Sequence, residues 1–280
     1  MPLDQIGEHK EGEKEMGFLD HLEELRGHII RSVIAILVFS VAAFFAKDII
    51  FGKVILGPAK PDFITYRFFC WLDRYMDAHG SVCIDKLNFI LQSRQMSGQF
   101  AMHITGAIVT GLICAFPYLF WEIWRFVAPG LYPKERNATR GAVIWVSLLF
   151  FSGILFGYFL VTPLSVNFLA NYQIDPSIQN QFDITSYIQT VAMLVLACGL
   201  MFQLPMVVLV LTKMGILTPL FMRTYRRHAI VVILIIAAVI TPPDVFSQLL
   251  VTLPLYLLFE ISIFVSSFEM KRQAKSLQDI

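Results

Sequence analysis

Long apolar runs separated by short polar stretches dominate the chain. A hydrocarbon core about 30 Å thick is crossed by roughly 20 helical residues, because an α-helix rises about 1.5 Å per residue. The runs that reach or approach this length are residues 29–46, 100–121, 142–168, 187–211, 229–240 and 245–268. Backbone amides in lipid must be hydrogen-bonded internally, and these runs are too long for barrel strands. The pattern therefore predicts an all-α integral membrane protein with six transmembrane helices.

The last two runs are shorter than an ordinary bilayer requires. Residues 229–240 would form a helix of about 18 Å, and the sixth run meets a charge at Glu260 after about 22 Å. Such a mismatch is absorbed by local thinning, by water-filled cavities or by a partner helix. The alternative is that side chains at the helix ends snorkel to the membrane surface and that the predicted ends of these two runs are imprecise. We therefore expect short fifth and sixth helices.

Prolines interrupt four of the runs. They are Pro117, Pro163, Pro205 and Pro254. A proline inside a helix removes a backbone hydrogen bond and kinks the helix, so we expect a curved bundle with a concave face. The alternative is that prolines are simply common in membrane helices.

Composition supports a membrane protein and argues against two other classes. Hydrophobic residues make up 56% of the chain and charged residues 15%, whereas soluble domains carry about 25% charged residues. The composition therefore argues against a soluble enzyme. The net charge of +1 also argues against a partner nucleic acid, because phosphate neutralisation needs a concentrated excess of Lys and Arg.

The distribution of Lys and Arg predicts the orientation. These cations precede the first run and occupy the second-to-third and fourth-to-fifth connections and the C-terminal tail. Positive residues concentrate in cytoplasmic loops, so both termini are predicted to be cytoplasmic. Residues 1–28 would form a cytoplasmic amphipathic segment without a cleavable signal peptide, and residues 269–280 a cytoplasmic tail. The whole chain, residues 1–280, then forms a single membrane domain.

The longest connection, residues 47–98, lies outside on this orientation. Its aromatic residues are typical of a structured cap that rests on the bilayer surface. They are Phe63, Tyr66, Phe68, Phe69, Trp71 and Tyr75. Cys70 and Cys83 also lie here, where oxidation is permitted, so they are candidates for a disulfide. The alternative is that they are two ordinary small apolar side chains.

Few polar residues fall within the runs, and intramembrane polar residues usually face the interior and serve function. Gln203 in the fourth run and Glu260 in the sixth are candidates for a concave surface that faces the cytoplasm. The alternative is that they hold neighbouring helices together. His103 stands alone in the second run, so we expect a structural role for it.

Acidic residues at the predicted cytoplasmic face are candidates for binding a cation. Phe18, Leu22, Leu25 and Ile29 form an apolar stripe, which predicts a helix that lies on the membrane before the chain turns in. Glu24 lies on its opposite side, and Glu135 lies in the next cytoplasmic connection. Arginine matches such carboxylates through paired hydrogen bonds. Taken singly, each glutamate is more typical of a solvated surface charge.

Several motifs in order resemble one family. Residues 21–26 read HLEELR, 126–136 read FVAPGLYPKER, 156–159 read FGYF with Pro163 following, 199–205 read GLMFQLP, 241–248 read TPPDVFSQ, and 259–260 read FE. Together they cover about residues 17–271 and resemble the TatC family. That family is the multispanning receptor subunit of the twin-arginine protein translocase.

The resemblance implies a receptor site for signal peptides. In the family, one Glu of the first motif and one Glu of the second bind the Arg pair of the signal peptide. These positions are Glu24 and Glu135 here, and Arg26, Phe126 and Pro129 would support the same site.

The resemblance also implies roles for residues elsewhere. A polar residue of the fourth helix, usually Glu, helps line the concave face and contacts partner subunits. Here that residue is Gln203, which keeps hydrogen bonding but loses the charge. Asp244 and Gln248 match the external motif between the last two helices, where Asp244 would cap a helix N-terminus. Residues 67–85 depart from the family pattern.

The implied function is a non-enzymatic translocase subunit in the bacterial cytoplasmic membrane. Its expected partners are signal peptides of folded cargo, single-span TatA/TatB-type subunits and membrane lipid, within an oligomeric complex and without a cofactor or metal. The competing class is a secondary transporter of a small solute, but paired halves and broken helices around a midplane site are not visible. A membrane enzyme has less support, since no run contains a cluster with metal or catalytic spacing.

Overall fold

Helices form most of the protein. The computed structural model describes residues 18–76, 83–84, 87, 89–127, 139–175, 177–241 and 245–278. Within these residues the α-helices are α1 (Phe18–Phe45), α2 (Lys47–Ile49), α3 (Ile64–Met76), α4 (Gly98–Val127), α5 (Thr139–Phe156), α6 (Thr162–Asn171), α7 (Ile184–Met201), α8 (Leu204–Lys213), α9 (Pro219–Thr224), α10 (Arg226–Ile240) and α11 (Val245–Gln278).

Two short strands, which the apolar pattern did not predict, join the loops before two of the long helices. Strands β1 (Phe89–Gln92) and β2 (Asn180–Asp183) pair in parallel, with Phe89 opposite Asn180. Asp183 then caps α7 by accepting a hydrogen bond from the Thr185 backbone N–H at 2.8 Å. Hydrogen bonds from the Thr185 hydroxyl and backbone hold the pKa of Asp183 below its usual value. The strand pair thus positions the start of α4 beside the start of α7.

Among the described residues, five helical segments are long and apolar enough to cross a membrane. They are Leu22–Phe45, Gly98–Phe126, Val143–Asn171, Ile184–Lys213 and Gln248–Arg272. This confirms the prediction of a multispanning helical membrane protein. The fifth predicted run corresponds to α10, which has 15 residues and is therefore about 22 Å long. It is short, as predicted, and it is not among the five segments above. Six crossings and cytoplasmic termini therefore remain predictions.

The prediction of a short sixth helix was wrong. Helix α11 has 34 residues, which corresponds to about 51 Å, and it passes Glu260 without interruption. The Glu260 carboxylate accepts hydrogen bonds from the Arg226 guanidinium at 2.7 Å and from the Tyr256 hydroxyl at 3.0 Å. Because a neighbouring helix supplies the counter-charge, the glutamate does not end the apolar span.

The expected turn between the N-terminal amphipathic stretch and the first span is also absent. Helix α1 runs unbroken for 28 residues from Phe18. Its polar residues His28 and Arg31 face α4, where both contact Glu122. The polar side of the amphipathic stretch therefore binds a neighbouring helix, and the stretch continues directly into the span.

Two of the four predicted proline sites interrupt helices. The fourth span breaks at residues 202–203, just before Pro205, and separates α7 from α8. A π-helical turn, Gly157–Val161, precedes Pro163 at the start of α6. Pro117 and Pro254 lie inside α4 and α11, which continue past them. The concave shape of the bundle remains a prediction.

The core joins the helices of the second half of the chain. Leu194 of α7, Ile233 of α10, and Val251 and Leu255 of α11 are buried together with Val161. Since apolar contacts give no net gain over lipid, close packing of such side chains is what holds these helices together. Short α10 is thereby placed between α7 and α11.

The cap is attached to the third span through α3. Tyr66 is fully buried, and its hydroxyl lies 2.8 Å from the Pro58 carbonyl oxygen and 3.0 Å from that of Pro163. Thr65 donates a hydrogen bond to the Phe159 carbonyl oxygen. The opposite side of α3 exposes stacked aromatic rings, which are those of Phe68, Trp71 and Tyr75. A disulfide joins Cys70 of α3 to Cys83.

A close approach between backbones fixes α1 against α4. A Cβ atom on Gly111 would lie 2.6 Å from the backbone nitrogen of Ser40 and 2.8 Å from its Cα atom. We expect Gly111→Ala to destabilise the protein by about 1–3 kcal/mol, because a backbone cannot move aside as a side-chain tip can. Thermal unfolding in detergent measures this loss.

Gly141→Ala is the matched control, because a Cβ atom there meets nothing within 4 Å and alanine favours a helix. Equal melting temperatures for the two variants would contradict the close packing of α1 on α4.

The disulfide predicts a simple pattern of thiol reactivity. Of the 4 cysteines, Cys114 and Cys198 are free thiols. The protein purified from its membrane and denatured without reductant is expected to take up two maleimide groups per chain, and four after reduction. Mass spectrometry counts the adducts, and four adducts without reductant would contradict the Cys70–Cys83 bond.

Candidate functional site

A buried carboxylate lies where the N-terminal part of α1 meets the C-terminal part of α4. Glu122 of α4 is 1% exposed. Its Oε2 atom contacts Nδ1 of His28 and lies 3.4 Å from a guanidinium nitrogen of Arg31. The Tyr118 hydroxyl, one turn earlier on α4, also donates a hydrogen bond to it. A carboxylate away from water is stable only when it is paired in this way, so the cluster fixes α1 to α4.

The same histidine connects this cluster to Glu24. His28 lies one helical turn after Glu24 on α1, and its Nε2 atom is 3.9 Å from Oε1 of Glu24. Residues four apart lie on one face of a helix. The Glu24 side chain is 37% exposed, so it is accessible from outside the protein while one of its oxygens faces the ring.

Phe126 packs against the other side of this site. Its ring meets the His28 ring edge-on, with 6.1 Å between the centroids. Phe126 lies at the C-terminal end of α4, one turn after Glu122. The structure therefore brings together two of the residues predicted for the receptor site, Glu24 and Phe126, and both contact His28.

The other predicted receptor residues are not part of this cluster. Arg26 is exposed, and it lies on a different face of α1 because it is two residues from Glu24. Pro129 and Glu135 lie outside the described residues. The pairing of Glu24 with Glu135 therefore remains a prediction.

Sequence reasoning missed Glu122, His28 and Arg31. The predicted runs start at residue 29 and end at residue 121. His28 and Glu122 therefore fall just outside the predicted spans, and Arg31, near the start of the first run, counts only as one of the cytoplasmic cations. Their charge is the signal that could have identified them. Glu122 directly follows the second run, and His28 and Arg31 lie around the start of the first run. Antiparallel neighbouring helices would bring these positions to the same depth.

Residues expected on the concave face make contacts between helices. The Gln203 side-chain amide donates to the Val146 carbonyl oxygen of α5 at 3.2 Å, and the Gln248 amide donates to Leu234 of α10 at 3.2 Å. Glu260 pairs with Arg226 of α10 at 2.7 Å. For Gln203 and Glu260 these contacts match the alternative that such residues hold helices together. Gln248, which was matched to the external motif, also contacts a neighbouring helix. Asp244 lies outside the described residues.

The side-chain oxygen of Gln203 lacks the kind of contact that its amide nitrogen makes. Its Oε1 atom is buried and has no hydrogen-bond partner among the described atoms. Gln203 lies at the break between α7 and α8, where backbone groups are also freed from helical pairing.

His103 has the structural role that we expected. Its Nε2 atom lies 3.0 Å from the Phe44 carbonyl oxygen, and its ring stacks on Phe44.

Comparison with known proteins gives consistent matches along the chain. The family model described as Sec-independent protein translocase protein (TatC) matches residues 20–254. The Sec-independent protein translocase protein TatC of Blattabacterium sp. subsp. Periplaneta americana is 37% identical over 265 residues, which are 94% of this chain and 100% of that protein. The TatC of Escherichia coli is 33% identical over 251 residues, 89% of this chain and 88% of that one.

A solved structure shares the fold as well as the sequence. The crystal structure of the twin arginine translocase receptor TatC matches with a TM-score of 0.68 at 32% identity, and the match covers 89% of this chain and 98% of that one. These matches assign the protein to membrane protein transport and not to the enzymes. The chain belongs to the TatC family of Sec-independent protein translocase proteins.

Proposed function

We propose that this protein binds the twin-arginine signal peptides of folded cargo through Glu24 at its cytoplasmic face. The observation that supports this most directly is an accessible carboxylate 3.9 Å from His28, a residue that packs against Phe126 and belongs to a buried charged cluster. The solved relative is described as a twin arginine translocase receptor. A carboxylate of this kind matches the planar fork of a guanidinium group through two parallel hydrogen bonds.

Glu24, and not Glu122, is the receptor carboxylate of this cluster. Glu122 is fully buried and already has His28, Arg31 and Tyr118 as partners. Glu24 is accessible, and a guanidinium 4 Å from it would gain about 4 kcal/mol of Coulomb energy at an effective dielectric constant near 20. Glu135 would supply the second carboxylate for the second arginine of the pair.

The proposed setting is the bacterial cytoplasmic membrane, with both termini in the cytoplasm and α10 as the short fifth of six crossings. The distribution of Lys and Arg supports this orientation. A helix of about 22 Å needs a thinned bilayer or a partner helix beside it. The surface of α1 that lipid would cover is strongly apolar, with Leu37 and Val38 more than half exposed.

Single-span subunits of the TatA/TatB type are the proposed protein partners in a larger complex. Gln203 is the residue through which we propose this contact. It lies at the break between α7 and α8, and its Oε1 atom has no donor among the described residues. No observation favours the transport of a small solute, the alternative that the sequence left open.

Removing the charge of Glu24 tests the receptor site. Glu24→Gln is expected to weaken the binding of a synthetic twin-arginine signal peptide by about 10- to 150-fold, because a hydrogen bond to a charged group contributes about 1.5–3 kcal/mol. Glu135→Gln is expected to act in the same direction. Fluorescence anisotropy of a labelled peptide with the detergent-purified protein measures the affinity.

Glu23→Gln is the matched control. Glu23 is the exposed neighbour of Glu24 on α1, so this substitution removes the same charge from another face of the helix. Binding by Glu24→Gln that equals binding by Glu23→Gln would overturn the proposed site.

The orientation is tested by labelling single introduced cysteines from outside the cell. Ser177→Cys, in the loop before β2, should react with a membrane-impermeant maleimide in intact spheroplasts. Ser276→Cys, near the C-terminus, should react only after the membrane is permeabilised. Labelling of Ser276→Cys in intact spheroplasts would place the C-terminus outside the cell. The chain would then cross the membrane an odd number of times, and α10 would not be a crossing.

A further inference from the structure

We propose that His28 is a positioning residue, which holds the Glu24 carboxylate in place for the ligand by anchoring it to buried Glu122. This inference rests on the proposed function, because it concerns how the receptor carboxylate is presented. It adds two residues, His28 and Glu122, that no resemblance or motif had assigned to the site.

The orientation of the His28 ring is fixed by two contacts and by its burial. Its Nδ1 atom contacts the Glu122 carboxylate, and the ring edge packs against Phe126. The side chain is 8% exposed, so there is little room for another rotamer. With Nδ1 bound to Glu122, the geometry of the imidazole directs Nε2 towards Glu24, at 3.9 Å from Oε1.

The charges around the ring agree with this role. The imidazole has a carboxylate on each side: Glu122 contacts Nδ1, and the nearer Glu24 oxygen lies 3.9 Å from Nε2. The Arg31 guanidinium lies 3.4 Å from Glu122 and gives this buried carboxylate a permanent positive charge as a partner. Tyr118 adds a neutral hydroxyl donor to Glu122. Glu122 is thus already paired within the protein before any ligand arrives.

The consequence for binding is preorganisation. An exposed glutamate on a helix samples several rotamers, and a ligand that binds it must order the side chain first. Here one oxygen of Glu24 faces His28 at 3.9 Å, which orients the carboxylate while both oxygens keep acceptor sites for a guanidinium group. The side chain is held on the face of α1 that carries His28, whose ring packs against Phe126 of α4. His28 therefore affects affinity only through Glu24.

A double-mutant cycle tests this dependence. The affinity of a synthetic twin-arginine peptide is measured for the full-length protein, His28→Gln, Glu24→Gln and the double variant. His28→Gln is expected to weaken binding about 3- to 10-fold on its own and to cause no further loss in the Glu24→Gln background, because residues that act as one unit are not additive. His228→Gln, which changes an exposed histidine on α10, should bind as the unchanged protein does.

The outcomes separate the two proposals. If Glu24→Gln weakens binding and His28→Gln does not, His28 has no positioning role and the receptor site stands. If His28→Gln lowers affinity equally in both backgrounds, its effect is a general structural one and the inference fails. If Glu24→Gln binds normally, the receptor site and the inference both fail.

A second variant covers the case in which His28→Gln does not fold. Glu122→Gln keeps the size of the side chain and an oxygen that accepts from Nδ1, but removes the charge that holds the ring. It is expected to weaken peptide binding in the same direction and to lose this effect in the Glu24→Gln background. Unchanged affinity in a folded Glu122→Gln protein would overturn the anchoring role.

Discussion

The pairing of Glu122 with His28, Arg31 and Tyr118 is the interaction on which the proposed site depends. An unpaired carboxylate at this depth would cost several kcal/mol, so α1 and α4 can pack only in a register that brings the two bases to the acid. The close approach of Gly111 to Ser40 fixes the same two helices about 16 Å further along α4. With both points fixed, Glu24 of α1 and Phe126 of α4 each lie next to His28.

Polar contacts set the arrangement of the other helices too. Glu260 binds Arg226 and Gln248 binds the backbone of α10, so two polar residues of α11 hold the short helix. In lipid, apolar side chains alone do not select a neighbour, whereas a polar group that lacks a partner is costly. The few polar residues of the spans therefore decide which helices pack together, and the apolar majority fills the space between them.

Predictions from the sequence were right where the signal is local. The long apolar runs identified the five spans and the short α10, and the motifs around Glu24 and Phe126 indicated residues that the fold brings together. They were wrong where tertiary partners decide. The charge of Glu260 predicted the end of an apolar span, but Arg226, 34 residues away in sequence, pairs with it. The amphipathic stripe predicted a turn in α1, but polar residues of that stretch bind Glu122 of α4 instead. Glu135, Pro129 and Asp244 lie outside the described residues and stay predictions.

The central claim is that paired arginines bind where α1 and α4 meet. The most direct measurement is photo-crosslinking from a signal peptide that carries a photoreactive residue next to its Arg pair, followed by mapping of the adducts on the reconstituted protein. The account predicts adducts on the N-terminal turns of α1 and the C-terminal turn of α4, around Glu24 and Phe126. Adducts confined to α10 and α11, around Glu260, would contradict it.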